Sequence, residues 1–351
     1  MSAKTYLTVL TSTVLLLLTQ LWLPNAWVDP LWFFDGYKGV GPSFAFSTRE
    51  AKLNRLRTTR ERDYDCLVAG SSRALTLDVT AFSGFRCFNL AVEAATLPES
   101  LVLFERAAAI VPSPRLVIQT VANFDLERER CEAGLARAAK LHDERAPGWL
   151  ERYASIDILR FSRKLALGHV RGLGYDDDWR PVLDPFPPHA PRWVALRTAL
   201  EGGAANGPPA GTYTDACVAR LDHLAVLFPD ARLIGYVSPI SADLVLRMYL
   251  ERKLAGYLDG VHGAVQHFDA FYDFGAPNEL SFDTTVTWDG SHYHPSISQR
   301  IADTLLDDEG ERDDALRVDT LSLETYHGVY ADRLRGVIAR LDELQTPGAA
   351  P

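Results

Sequence analysis

The sequence predicts an α/β protein: a doubly wound sheet of about five parallel strands, a helical insertion, and an N-terminal transmembrane helix. Three observations predict it. Short, continuous apolar runs recur, the pattern of strands buried on both faces. Helical patterns alternate with them, as in βαβ units. A nearly charge-free run opens the chain.

That run is Tyr6 to Leu23, preceded by Lys4. At about 1.5 Å per residue it spans roughly 27 Å, close to the hydrocarbon core of a bilayer. Trp22 and Trp27 stand where interfacial aromatics belong. A membrane anchor, a cleaved signal peptide and a buried helix all fit; Asn25-Ala26 is a poor cleavage site. Lys4 predicts the N-terminus inside and the body of the chain outside the cytoplasm. Residues 28–62 read as a connector with little core pattern, ending in a basic helical stretch from Arg49 to Arg62.

The first strand is expected at Asp65 to Gly70 and the second at Phe85 to Leu90. A helix from Pro98 to Ile110 leads to the third strand, Arg115 to Thr120. The fourth strand is Ala231 to Val237, followed by a helix over Ala242 to Leu258. Ala264 to Phe268 reads as the fifth strand and Pro295 to Leu306 as a closing helix. The α/β domain therefore covers 63–306. Its insertion, about 126–214, starts helical, passes Pro-rich (Arg180 to Arg192) and Gly/Pro-rich (Gly202 to Gly211) stretches, and shows no sheet pattern of its own. Residues 307–351 read as an acidic linker, Asp307 to Asp314, and a helix around Tyr326 to Leu344.

Composition narrows the function. The 351 residues carry 36 Lys and Arg against 46 Asp and Glu, a net charge of −10. That balance argues against a protein that coats nucleic acid. Four Cys without a Cys-x-x-Cys pair exclude a disulfide-dense scaffold and a zinc ribbon.

In a parallel α/β sheet, sites form at the carboxyl ends of strands. Gly70-Ser71-Ser72-Arg73 follows the first strand, where Gly permits a sharp turn and Ser72 stands at a helix mouth. It lacks the glycine spacing of a pyrophosphate loop. Glu93-Ala94-Ala95 comes after the second strand and Asn123-Phe124-Asp125 after the third. Trp288-Asp289-Gly290-Ser291-His292-Tyr293-His294 precedes the closing helix. Singly, each has a plain reading as a cap or turn. Together they supply a nucleophile, a base, a carboxylate and amide donors, the parts of acyl transfer.

In this order the blocks resemble those of the SGNH/GDSL hydrolase superfamily. The closer resemblance is to membrane-anchored SGNH-like proteins of bacterial envelopes, including those associated with polysaccharide O-acetylation. It covers roughly Asp63 to Thr304 without the insertion and implies a flavodoxin-like sheet. The superfamily's Gly-Asp-Ser block corresponds to Gly70-Ser71-Ser72, which makes Ser72 the nucleophile. Its Asp-x-x-His block matches Asp289-Gly290-Ser291-His292, which makes His292 the base and Asp289 its orienter. The oxyanion hole would be the Ser72 N–H, Asn123 and a block-two N–H. The family's Gly is absent there, and Ala94 takes its place. His294 is the rival base; His142, His169, His189, His223 and His327 read as surface or core, and His267 as part of the fifth strand. No metal or cofactor is implied.

The resemblance implies an exported serine esterase or O-acyltransferase acting on a cell-envelope carbohydrate. It would be single-pass in the inner membrane with its domain in the periplasm, and an envelope partner protein for acyl transfer is a further expectation. The contrasting expectation is a catalytically silent scaffold or glycan-binding subunit of an envelope complex. Trp149, Tyr153, Trp179 and Trp193 are either sugar-stacking aromatics or the insertion's own core. In an oxidising compartment Cys131 and Cys217, which bracket the insertion, are the expected disulfide. Cys66 and Cys87, in neighbouring buried strands, are expected as thiols.

Overall fold

The computed structural model describes residues 2–34, 41–143, 148–176, 178–184, 187–206, 213, 215–307 and 313–344. Most of the acidic run (308–312), the end of the Gly/Pro stretch (207–211), part of the connector (35–40) and the last residues (345–351) lie outside them.

In chain order the helices begin with α1 (Ala3–Val28), α2 (Thr48–Thr58), α3 (Ser72–Leu75), α4 (Leu97–Ala108) and α5 (Arg128–Asp143). Next come α6 (Trp149–Tyr153), α7 (Ile156–Ala166), α8 (Trp193–Glu201), α9 (Asp222–Leu227) and α10 (Ala242–Leu250). The last are α11 (Leu254–Val265), α12 (Glu279–Phe282), α13 (Ser298–Leu306), α14 (Leu323–Ala339) and α15 (Leu341–Leu344). The strands are β1 (Cys66–Ala69), β2 (Cys87–Asn89), β3 (Leu116–Thr120), β4 (Leu173–Tyr175), β5 (Pro181–Leu183), β6 (Arg232–Val237), β7 (Ala270–Asp273) and β8 (Leu316–Arg317).

The chain divides into two compact units, residues 1–61 with 143–184, and residues 62–142 with 185–351. The second holds a six-stranded sheet of order β2-β1-β3-β6-β7-β8, parallel except for the β8 edge. The first five strands follow the doubly wound order 2-1-3-4-5, which has its switch point between β1 and β3. Every residue of β1, β3 and β7 is buried, as the unbroken apolar runs require of a sheet covered on both faces.

Three expectations are corrected here. The fifth strand is Ala270–Asp273, and not Ala264 to Phe268. Ala264 instead completes a helical stripe with Leu254, Tyr257, Leu258 and Val261, all buried along α11. A short apolar run fits either period, and this one continues the 3.6-residue spacing before it. The expected helix over Ala242 to Leu258 breaks after Leu250, where Arg252 turns left-handed at φ 60°. His267 therefore sits in a turn, its Nδ1 2.6 Å from Asp222 Oδ1. The tail also adds an antiparallel strand, β8, that the acidic pattern did not announce.

The cysteines give a third correction. Cys131 and Cys217 are bonded, Cα to Cα 5.8 Å, as expected. Cys66 and Cys87 are bonded as well, and are not thiols. They are register partners on adjacent parallel strands, which points both side chains to one face and brings their Cα atoms to 4.2 Å.

The first unit is assembled from residues expected to be a coreless connector and part of the insertion. Leu31, Trp32, Ala51, Leu53 and Leu56 are buried in it, and β4 and β5 pair into a two-stranded sheet. Trp22, Ala26, Phe33 and Trp149 pack against buried Leu31, Tyr153 and Ile158. Trp179 meets Trp32 at 4.5 Å between ring centroids and stacks on Tyr175 at 5.7 Å. Trp149, Tyr153 and Trp179 are thus spent on this unit's own packing.

Helix α1 is long and apolar enough to cross a membrane, and the apolar window is bare of protein contact. Contact begins near its end. The Asn25 amide donates to the carbonyls of Tyr153 (2.8 Å) and Ser155 (3.2 Å), and its Oδ1 accepts from Ser162 Oγ (2.9 Å). The cut that separates anchor from body therefore lies before Leu21. Deleting residues 1–20 should leave the melting temperature of the remainder within a few degrees. Deleting 1–27 removes Trp22 and Asn25 and takes their partner from the buried Tyr153 carbonyl and the Ser162 hydroxyl, at about 1–3 kcal/mol for each; the Ser155 carbonyl keeps the Leu159 N–H. Differential scanning fluorimetry of the two truncations checks this, and equal melting temperatures would refute the boundary.

Candidate active site

Four segments of the second unit build the site. β1 ends at Ala69, and Gly70 follows with φ 154°. A Cβ there would come within 2.8 Å of the Thr120 Cβ and 3.1 Å of the Ala74 Cβ, so the close approach of β3 requires glycine. The turn delivers Ser72 as the first residue of α3. Asn89, at the end of β2, fixes α3 from below: its amide donates to the carbonyls of Ala74 (2.9 Å) and Leu77 (3.1 Å).

The second segment is the loop before α13. Asp289 Oδ1 accepts the backbone N–H groups of Ser291 and His292, each at 2.8 Å. Its Oδ2 lies 2.6 Å from His292 Nδ1. The other ring nitrogen, Nε2, is 2.7 Å from Ser72 Oγ. The sequence-expected Ser72, His292 and Asp289 thus form one hydrogen-bonded chain, with the residues 220 positions apart brought together by the sheet. The Trp288 ring lies nearly parallel to the imidazole, at 5.2 Å and 14°. Burial opposes ionisation of Asp289, but the hydrogen bonds from the His292 ring and the Ser291 N–H, with the imidazole's charge, hold its carboxyl well below the usual carboxylate range. His294 points elsewhere: its Nδ1 accepts the Ser296 N–H at 3.1 Å and caps the turn into α13.

The third and fourth segments, after β2 and after β3, hold the expected oxyanion donors. Ala94 is left-handed, with φ 53°, a conformation that costs a non-glycine residue about 1–2 kcal/mol. Neither its N–H nor that of Ser72 donates to any described residue, so both amides are available to an anion. Asn123 opens the turn after β3, but its side chain lies outside the described residues. Within the same turn Asp125 is buried, accepting the N–H groups of Ala122 (2.9 Å) and Leu97 (3.2 Å). Burial pushes its carboxyl up to about 7 against these donors and the nearby Arg73 charge. The Arg73 guanidinium lies 5.0 Å over the Phe124 ring.

A brace behind Gly290 was not legible in the sequence, where His189 read only as surface or core. His189 Nε2 is 3.0 and 3.1 Å from the two Asp243 carboxylate oxygens. Ser241 Oγ donates to Asp243 at 2.6 Å, and the Ser241 N–H donates to the Gly290 carbonyl at 2.7 Å. The His189 N–H donates to Thr287 O (2.8 Å) and Thr284 O (3.1 Å). Gly290 has φ 81°, and a Cβ there would collide with Ser241 Oγ and reach His189 Nε2 at 3.0 Å. Glycine between Asp289 and Ser291 was the available signal. Its partners lie about 50 and 100 residues away, beyond any local pattern. Among the described residues no cluster of His, Cys, Asp and Glu has the makings of a metal site.

No family model matches the chain, and no curated protein matches its sequence.

Two outcomes follow from this geometry. Gly290→Ala should destabilise the protein by roughly 1–3 kcal/mol through strain and the collision with Ser241, read as a fall in thermal midpoint; an unchanged midpoint would contradict the brace. Asp125 has a raised folded pKa, so its stabilising contribution is complete below about pH 4 and is lost as pH rises through about 7. Asp125→Asn stays neutral throughout. Relative to wild type it should therefore gain on the order of a few kcal/mol between pH 4 and pH 8. Urea unfolding of both proteins at several pH values measures the difference; a pH-independent gap would show that Asp125 titrates normally.

Proposed function

We propose that this chain is a membrane-tethered serine ester hydrolase or O-acyltransferase of the SGNH type, working outside the cytoplasm on a cell-envelope carbohydrate. The observation that carries the reading is the chain from Ser72 Oγ through both nitrogens of His292 to Asp289, at 2.7 and 2.6 Å. In the proposed reaction Ser72 Oγ attacks an ester carbonyl while its proton passes to His292 Nε2. Asp289 stays ionised, holds Nδ1–H and stabilises the imidazolium. The charge on the carbonyl oxygen is met by the free N–H groups of Ser72 and Ala94, joined on the resemblance by Asn123. The tetrahedral intermediate collapses, the alkoxide leaves with the proton from His292, and the acyl group remains on Ser72. Water or a sugar hydroxyl then gives its proton to His292 and takes the acyl group.

Two further observations support the compartment. The helix α1 has the length and apolarity of an anchor. Both pairs of cysteines are joined, which suits an oxidising exterior. The carbohydrate acceptor and an envelope partner protein rest on the resemblance alone, since three of the four aromatics considered for sugar stacking pack internally.

The test uses the full-length protein in detergent, with p-nitrophenyl acetate and a fluorophosphonate probe. Ser72→Ala should abolish probe labelling and lower turnover by several orders of magnitude, with the melting temperature kept. His292→Ala should cost at least as much as Asp289→Ala, and both far more than His294→Ala. Wild-type turnover in Ser72→Ala, or His294 proving the critical histidine, would sink the assignment. A folded wild type that neither labels nor turns over would favour the silent scaffold instead.

A further inference from the structure

We propose that α6 and α7 form a foot that rests on the anionic surface of the bilayer crossed by α1. The proposal depends on α1 as an anchor and is independent of the chemistry assigned to Ser72.

The first argument is depth. Residues 3–20 of α1 are exposed along their whole length, and eighteen residues rise roughly 27 Å, the thickness of the hydrocarbon core. Protein contact starts at Leu21 and Trp22. The headgroup layer extends roughly 5–8 Å beyond the core, and the five residues from Gln20 to Asn25 rise about 7.5 Å. At that level α6 and α7 are fastened to α1. Trp149 packs on Trp22 with centroids 4.9 Å apart. Asn25 holds the carbonyls of Tyr153 and Ser155 and the hydroxyl of Ser162.

The second argument is what the foot exposes. Trp27 is 75% exposed, and Leu150 and Ile156 are each 61% exposed, at the place where the helix emerges. Such side chains favour the interface between lipid tails and headgroups. Helix α7 buries Ile158, Ser162 and Leu165 and turns the opposite face outward. That face carries Ile156, Arg160, Arg163, Lys164 and Leu167, at helical spacing, all exposed. Its cations outnumber the one carboxylate of the helix, Asp157, which lies 3.1 Å from Arg160. This basic strip stands on a chain whose net charge is −10. Bracketed by Ile156 and Leu167, it matches a surface of anionic headgroups over an apolar interior.

All four native cysteines are paired, so one added cysteine is the only free thiol. Full-length Leu16→Cys, Leu150→Cys and Ile156→Cys proteins are labelled with bimane. Each is placed in nanodiscs of phosphatidylcholine, with or without phosphatidylglycerol, containing a lipid with a nitroxide near its headgroup. Labels at 150 and 156 should be quenched at least threefold relative to the same labels in discs without the nitroxide lipid, and more strongly with phosphatidylglycerol present. Reversing Arg160, Arg163 and Lys164 together to Glu should remove the phosphatidylglycerol-dependent part. Quenching at 16 with none at 150 and 156 would overturn the foot and leave the anchor standing. No quenching at 16 would overturn both. Equal quenching in the two lipids would overturn recognition of anionic headgroups. Fluorophosphonate labelling of the same discs reads the Ser72 assignment separately.

Discussion

The candidate site depends on how one carboxylate is divided. Asp289 Oδ1 takes two backbone N–H groups and so folds its own turn, while Oδ2 takes the ring nitrogen of His292. Folding the turn and aiming the base are the same act. The imidazole then has one nitrogen committed to the carboxylate and presents the other to Ser72. Such charge-assisted bonds are roughly twice as strong as neutral ones, and the stacked Trp288 limits rotation of the ring. Because Asp289 is partly exposed, water joins these donors in favouring its ionised form against the cost of burial.

The rest of the carboxyl end of the sheet is organised to tolerate that turn. Positive φ appears at Gly70, Ala94 and Gly290, one in each segment after β1, after β2 and before α13. Glycine is required at two of them by close neighbours, Thr120 in one case and Ser241 in the other. Ala94 has no such excuse, and an alanine held left-handed must be over-determined by its surroundings. The strain accompanies an N–H that has no partner among the described residues, the combination expected where a backbone donor is kept for a ligand. Buried Asp125 and the Asn89 clamp tie the flanking segments by hydrogen bonds.

Much of this was legible in the sequence because it is local. Asp289 and His292 are three residues apart, and the runs at Cys66, Leu116 and Arg232 are short, apolar and bounded by turn residues. What failed was non-local or ambiguous in period. Ala264 to Phe268 is as apolar as a strand, yet the buried stripe begun at Leu254 makes Ala264 and Val265 the end of a helix, with His267 in the turn after it. Cys66 and Cys87 look like two separate buried thiols until strand register sets them face to face. The His189–Asp243 brace draws on three distant segments, so no spacing rule reaches it. The connector carried its core as Leu31, Trp32 and Leu56, too widely spaced to read as an amphipathic element.

The first unit shows how a single apolar helix is given two environments. Up to Gln20 its side chains are bare, and an exposed Leu-rich surface of that length is stable only against lipid or another apolar face. From Leu21 the same helix becomes a packing element, and its polar content changes accordingly. Asn25 would be costly in hydrocarbon, yet every hydrogen-bonding atom described for its amide is used on Tyr153, Ser155 and Ser162. Asp29 then ends the helix left-handed, and its carboxylate accepts the N–H groups of Phe33 and Phe34, both at 2.9 Å, together with the Tyr153 hydroxyl. A flexible tether would need none of these bonds. A helix whose last turn is held through buried Asn25 and Val28 instead passes its orientation to the unit it enters, so under the proposed anchoring the membrane sets the attitude of α6 and α7 as well as their distance.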